Sequence, residues 1–133
     1  MVMFLIGFFM ILSAESPSLG EVIGPELRAV LESVEPEKEI AFVVTLLDQI
    51  ELKDFEDEDE KVRGSEIVKA LKQKAESTQE SIKAFLMSRG AKRIHSLWII
   101  NGIAVTARAD VIHELAIQPG IKSIQLDKTL NLP

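Results

Sequence analysis

Two hydrophobic periodicities alternate along this chain. From Ile40 to Leu47 the run IAFVVTLL is apolar almost throughout, which predicts a strand covered on both faces. From Ser65 to Arg89 the period is helical, and Ile67, Leu71, Ala75, Thr78, Ile82, Phe85 and Leu86 share one face. Ser65 stands where a helix N-cap belongs, and Gly90 where a left-handed residue closes a helix. KRIHSLWII and IAVTA predict two strands joined at Asn101-Gly102, the strongest short-range hairpin signal. A short helix follows, capped by Asp110, with Val111, Ile112, Leu115 and Ala116 inward and Pro119-Gly120 at its end. The last strand, IKSIQLD, sets Ile124 and Leu126 against Ser123, Gln125 and Asp127 on the other face.

From Ile40 onward the order is β-α-β-β-α-β. That order predicts an α+β, ferredoxin-like split βαβ domain: a four-stranded antiparallel sheet with two helices on one face. Upstream, Pro25 opens an extra amphipathic helix with Leu27, Val30, Leu31 and Val34 on one side, ended before Pro36. The expected divisions are 1–14, a leader; 15–38, the N-terminal helix segment; 39–127, the domain; and 128–133, an extended tail.

The pattern raises one difficulty. Phe42, Val44 and Leu46 point one way along the first strand, yet Val43 and Leu47 on the reverse are apolar too. In the hairpin, Trp98 and Ile100 oppose Leu97 and Ile99 in the same manner. Two helices cover only one face. The Pro25–Val34 helix folding back, a second copy of the chain, or a different protein would each cover the other. Trp98 is then either an interface anchor or an ordinary core residue.

Composition narrows the functional classes. The chain of 133 residues is 47% hydrophobic and 27% charged, as for one globular domain. A net charge of −6, with no basic patch interleaved with aromatics, argues against nucleic acid. Without cysteine there is no disulfide framework and no thiolate metal site. The uncharged, apolar opening MVMFLIGFFMILSA is too short to span a bilayer and suits a secretory leader cleaved after small residues. It predicts export, with no stable membrane association after cleavage. Seven carboxylates crowd Glu51–Glu60, but they are contiguous and enclose no glycine, so a solvated loop fits better than a calcium loop. His95 and His113 have no metal-ligand or triad spacing, and no Gly-rich phosphate loop occurs, so no catalytic residue, metal or cofactor is expected.

WIINGIAVTARADVIHELAIQPGIKSIQLD, with ELRAVLESVEPEKEIAFVVTLLDQIEL and the long helix upstream, resembles the propeptide-inhibitor domain of subtilisin-type serine proteases, in particular the bacillopeptidase-F-like branch. The likeness covers Pro25 to Pro133 and rests on the order of its motifs. It implies a ferredoxin-like domain that assists folding of a subtilisin-like serine protease and inhibits it, docking its open sheet face on the enzyme and its tail in the cleft. Asp127 matches the family acid that approaches helix N-termini of the protease, where free N–H groups favour an anion. Gln125 stands where the family has a second acid, keeping an acceptor but losing the charge. Leu130 matches the residue that fills the apolar subsite four from the cut, with Asn131, Leu132 and Pro133 following. Pro133 departs from the pattern, since its fixed φ and missing N–H suit the primary specificity position poorly. The catalytic segments of the protease itself do not occur in these residues. The alternative is a ferredoxin-like regulatory or ligand-binding module that dimerises through the same face.

Overall fold

A computed structural model describes residues 22–55 and 59–129. Its elements are α1 (Pro25–Ser33), β1 (Glu39–Leu46), a single 3-10 turn (Leu52–Phe55), α2 (Glu60–Ser88), β2 (Lys92–Leu97), β3 (Gly102–Arg108), α3 (Ala109–Ala116) and β4 (Ile121–Leu126). The strands form one antiparallel sheet in the order β2-β3-β1-β4. With α2 linking β1 to β2 and α3 linking β3 to β4, the expected ferredoxin-like split βαβ topology is present.

One face of the sheet carries the core. Ile40, Phe42 and Val44 of β1 lie opposite Ala107, Val105 and Ile103 of β3, and all six are buried. Ile121 and Ile124 of β4 are three apart, which a plain strand would send to opposite faces. A register shift at Thr45/Leu46 leaves Lys122 as an extra residue, so both isoleucines reach the buried side. Ile82 and Leu86 of α2 and Ile112 and Leu115 of α3 complete the same cluster.

The N-terminal helix belongs to this layer as well. Leu27 and Leu31 of α1, with Val22 and Ile23 before it, join the core cluster. Ile23 forms a parallel bridge to Ile124, and the Gly24 N–H donates to Ile124 O at 2.9 Å. The helix thus closes the β4 edge from the buried side. It does not fold back over the open face, which removes the first of the three covers the sequence allowed.

Local expectations are met at one end of α2 and corrected at the other. Gly90 takes φ +77°, and the Gly90 and Ala91 N–H groups donate to Met87 O and Leu86 O, the paired bonds of a Schellman ending. At the start, Ser65 is not the cap. Asp59 occupies that position, because Glu60, Lys61 and Arg63 are good helix formers and the Arg63 N–H already reaches Asp59 O. Nor does Asp110 cap α3. The chain passes from β3 into α3 at Arg108, and the first free amides are taken by main-chain carbonyls: Ala109 N–H by Lys38 O at 2.8 Å, Asp110 N–H by Pro36 O at 3.1 Å. With those donors satisfied, the Asp110 carboxylate is left to pair with Arg108 at 2.7 Å.

Candidate functional site

The centre of the open sheet face is made of small side chains. Register places Ala41, Val43 and Thr45 of β1 beside Thr106, Ala104 and Gly102 of β3, then His95 and Leu97 of β2 on one flank and Ser123 and Gln125 of β4 on the other. Val43, Ala104 and Thr106 are half-buried by their neighbours alone. The reverse of the sheet is therefore less greasy than the sequence implies. Of the apolar residues expected there, Leu47 lies beyond the end of β1, and Trp98, Ile99 and Ile100 lie in the turn after β2.

That turn is the second correction to the hairpin. Leu97 pairs with Gly102, so four residues, Trp98 to Asn101, make the connection rather than a two-residue Asn-Gly turn. Asn101 is its last residue, at φ +48°, and it is buried. Its Nδ2 donates to Asp48 O at 2.7 Å and to Thr78 Oγ1 at 2.9 Å, while Gln79 Nε2 donates to Asn101 Oδ1 at 2.9 Å and to Gly102 O at 3.0 Å. A left-handed residue is tolerated here because α2 and the β1 exit hold its side chain from three sides. Sequence reading missed Gln79, although it sits four after Ala75 and three before Ile82 on the buried stripe of α2.

The face is graded along its length. At the hairpin end, Ser96 to Ile100 line a shallow groove of about 360 Å³, with Ile99 65% and Ile100 46% exposed. Trp98 is half-buried, and Lys72 Nζ of α2 sits 4.9 Å from its ring centroid, so the tryptophan packs beside α2 and not on the open face. At the opposite end, Glu37, Lys38, Glu39, Lys92, Arg93 and Thr106 surround Ala41 in a polar depression of about 540 Å³. A bulge between Lys92 and His95, with Arg93 at φ +54°, and a Lys92–Glu39 ion pair at 3.0 Å shape its rim. Charge and bulge also protect this exposed edge from pairing with stray strands.

The glycine between groove and sheet admits no side chain. A Cβ on Gly102 would lie 2.7 Å from Val44 O and 3.2 Å from Ile100 Cδ1. Gly102→Ala is expected to destabilise the domain by about 1–3 kcal/mol, read as a lower urea midpoint.

The residues singled out for binding fall in two groups. Gln125 is exposed on the open face at the β4 edge, where its side chain lies against Gly24. Asp127 continues the ladder, its N–H donating to Ala41 O at 3.0 Å, while its Oδ1 accepts the Thr129 N–H at 3.1 Å. Lys128 and Thr129 form a turn, so the tail expected to be extended from Lys128 bends first, and Lys128 Nζ meets Glu26 Oε2 of α1 at 2.7 Å. Leu130, Asn131, Leu132 and Pro133 lie outside the described residues, as do residues 1–14, the expected leader. No family model matches the chain, and no curated protein matches it. Among the described residues, no cluster of three His, Asp or Glu side chains is placed to hold a metal, and no helix is long and apolar enough to cross a membrane. His113 is exposed on α3, and His95 lies on the open face opposite Ala104.

Proposed function

We propose that the chain binds and inhibits a subtilisin-like serine protease, and assists its folding, in the manner of a propeptide. The sheet's open face would lie on the enzyme, and the residues after Asp127 would enter the active-site cleft. Export by the leader segment is part of the same reading. One observation carries it: a four-stranded sheet with the three described helices all on one side, leaving a shallow face, small-residued at its centre, that ends, at β4, beside the start of the C-terminal segment. Such a face offers a rigid, preformed platform, and a strand laid along a cleft adds main-chain hydrogen bonds. Neither part suffices alone. An unanchored tail would be cut and released, and the face without the tail would leave the cleft open.

The test is a progress curve of a subtilisin-type protease with the full chain, with a chain ending at Asp127, and with Ala104→Glu. Ala104 lies between Val43 and His95 at the centre of the face. A buried, unpaired carboxylate there is expected to weaken inhibition about 100-fold while leaving the fold intact. The shortened chain is expected to lose inhibition as well. A folded full chain that inhibits none of several such enzymes overturns the proposal. Doubling of mass in solution, abolished by Ala104→Glu, would instead assign the face to self-association.

A further inference from the structure

We infer that Asn101–Gly102 is a modification site that the fold keeps silent: a deamidation site available only when the hairpin opens. The inference is independent of the protease reading. In an Asn-Gly pair the deprotonated Gly102 nitrogen attacks Cγ of Asn101. A C–N bond forms, the bond from Cγ to Nδ2 breaks, and ammonia leaves. The resulting succinimide takes up one water and opens to aspartate, or to isoaspartate, in which the main chain runs through the side-chain carbon. Glycine favours the step because no Cβ hinders the attacking nitrogen. Nothing is oxidised or reduced, and water is the only co-reactant.

The native hairpin blocks this chemistry. Asn101 is 1% exposed, and its carboxamide is tied at three points, to Asp48 O, Thr78 Oγ1 and Gln79 Nε2, at 2.7, 2.9 and 2.9 Å. Held so, Cγ cannot swing to the Gly102 nitrogen, and solvent does not reach the leaving group. Opening the hairpin releases all three ties at once.

The way back is closed too. In the aspartate product, one anionic oxygen takes the place of Nδ2 and faces the Asp48 carbonyl. It also faces the Thr78 hydroxyl, which can donate to it only by giving up its bond to Lys74 O at 2.6 Å. One donated hydrogen bond becomes a contact between acceptors, a second is kept only at the expense of another, and a charge enters a buried site. Lys74, whose main-chain carbonyl accepts from Thr78, already has its ammonium paired with the Asp48 carboxylate at 2.8 Å. Isoaspartate adds a carbon to the main chain ahead of Gly102, breaking its register with Thr45 and Leu97. Each opening therefore risks a one-way change, and chains that stay unfolded age out of the pool able to fold.

The experiment holds the full chain in mildly alkaline buffer, folded and in concentrated urea, and follows the amide-to-acid mass change and isoaspartate at Asn101 by peptide mapping. Natural domains leave on the order of one chain in a thousand or fewer unfolded, so the folded rate is expected to be slower by about 100-fold or more. Comparable rates in the two states overturn the inference. Asn101→Asp is the second measurement. A urea midpoint well below that of the parent, or failure to fold, supports the one-way change, and an unaltered midpoint overturns it.

Discussion

Phe42→Ala is expected to lower the free energy of unfolding by about 3–5 kcal/mol, the usual cost of deleting a fully buried aromatic ring. Among the described residues Phe42 is the largest fully buried side chain, and it stands at the middle of β1, one of the two strands flanked on both sides. Val105 lies opposite on β3 and Leu126 opposite on β4, and the core cluster draws on α1, α2 and α3 as well. Strand neighbours are fixed by their ladders, so the surroundings can only partly collapse into the vacated space. Set against the 5–15 kcal/mol that holds a typical domain, the loss leaves a marginal fold. Urea unfolding of Phe42→Ala beside Val43→Ala is the check. Val43, one residue away on the open face, is half-buried with none of the described helices above it, and its truncation is expected to cost about 1 kcal/mol or less. Equal costs at the two positions would contradict a sheet packed on one side only.

Gln79→Ala is expected to cost about 3 kcal/mol, and Gln79→Leu about half of that. The residue is fully buried, and its Nε2 satisfies both Asn101 Oδ1 and Gly102 O. Removing the amide strands those two acceptors, each a penalty of about 1–3 kcal/mol, and alanine adds a cavity. One term runs the other way. Gln79 Oε1 is itself buried and meets no donor among the described residues, so a side chain without it escapes that cost. Leucine keeps the volume and sheds the orphan oxygen, which is why it should be the milder change. Paired urea midpoints at unchanged slope would measure the difference. If leucine proves as costly as alanine, the hydrogen bonds outweigh packing at this site.

Much of this architecture is legible along the chain, because the signals are local. Gly90 closes α2 as its position implies, since only glycine takes φ +77° without strain. Ile124 and Leu126 face the helices as strict alternation requires. Errors arose where a distant group took over a local role. Asp110 is a sound N-cap by spacing, yet the carbonyls of Lys38 and Pro36 hold the amides of Ala109 and Asp110 themselves, and the helix begins before Asp110 could cap it. Asn101-Gly102 reads as a two-residue turn, yet Gln79 and Thr78, more than twenty positions away, hold Asn101 as the last residue of a longer one.

The open face divides in the same way. Sequence alone determined the order of elements, the helix-facing stripe of each strand and the presence of a second, less polar face than water favours. Only the tertiary structure decided that α1 packs with α2 and α3 and not opposite them, because Leu27 and Leu31 bury more against the core than a face of alanine and threonine offers. It also decided that Trp98, Ile99 and Ile100 leave the strand for the turn. Hydropathy records how much apolar surface a segment carries. Which surface it meets depends on contacts between residues far apart, and those form only when the whole sheet is assembled.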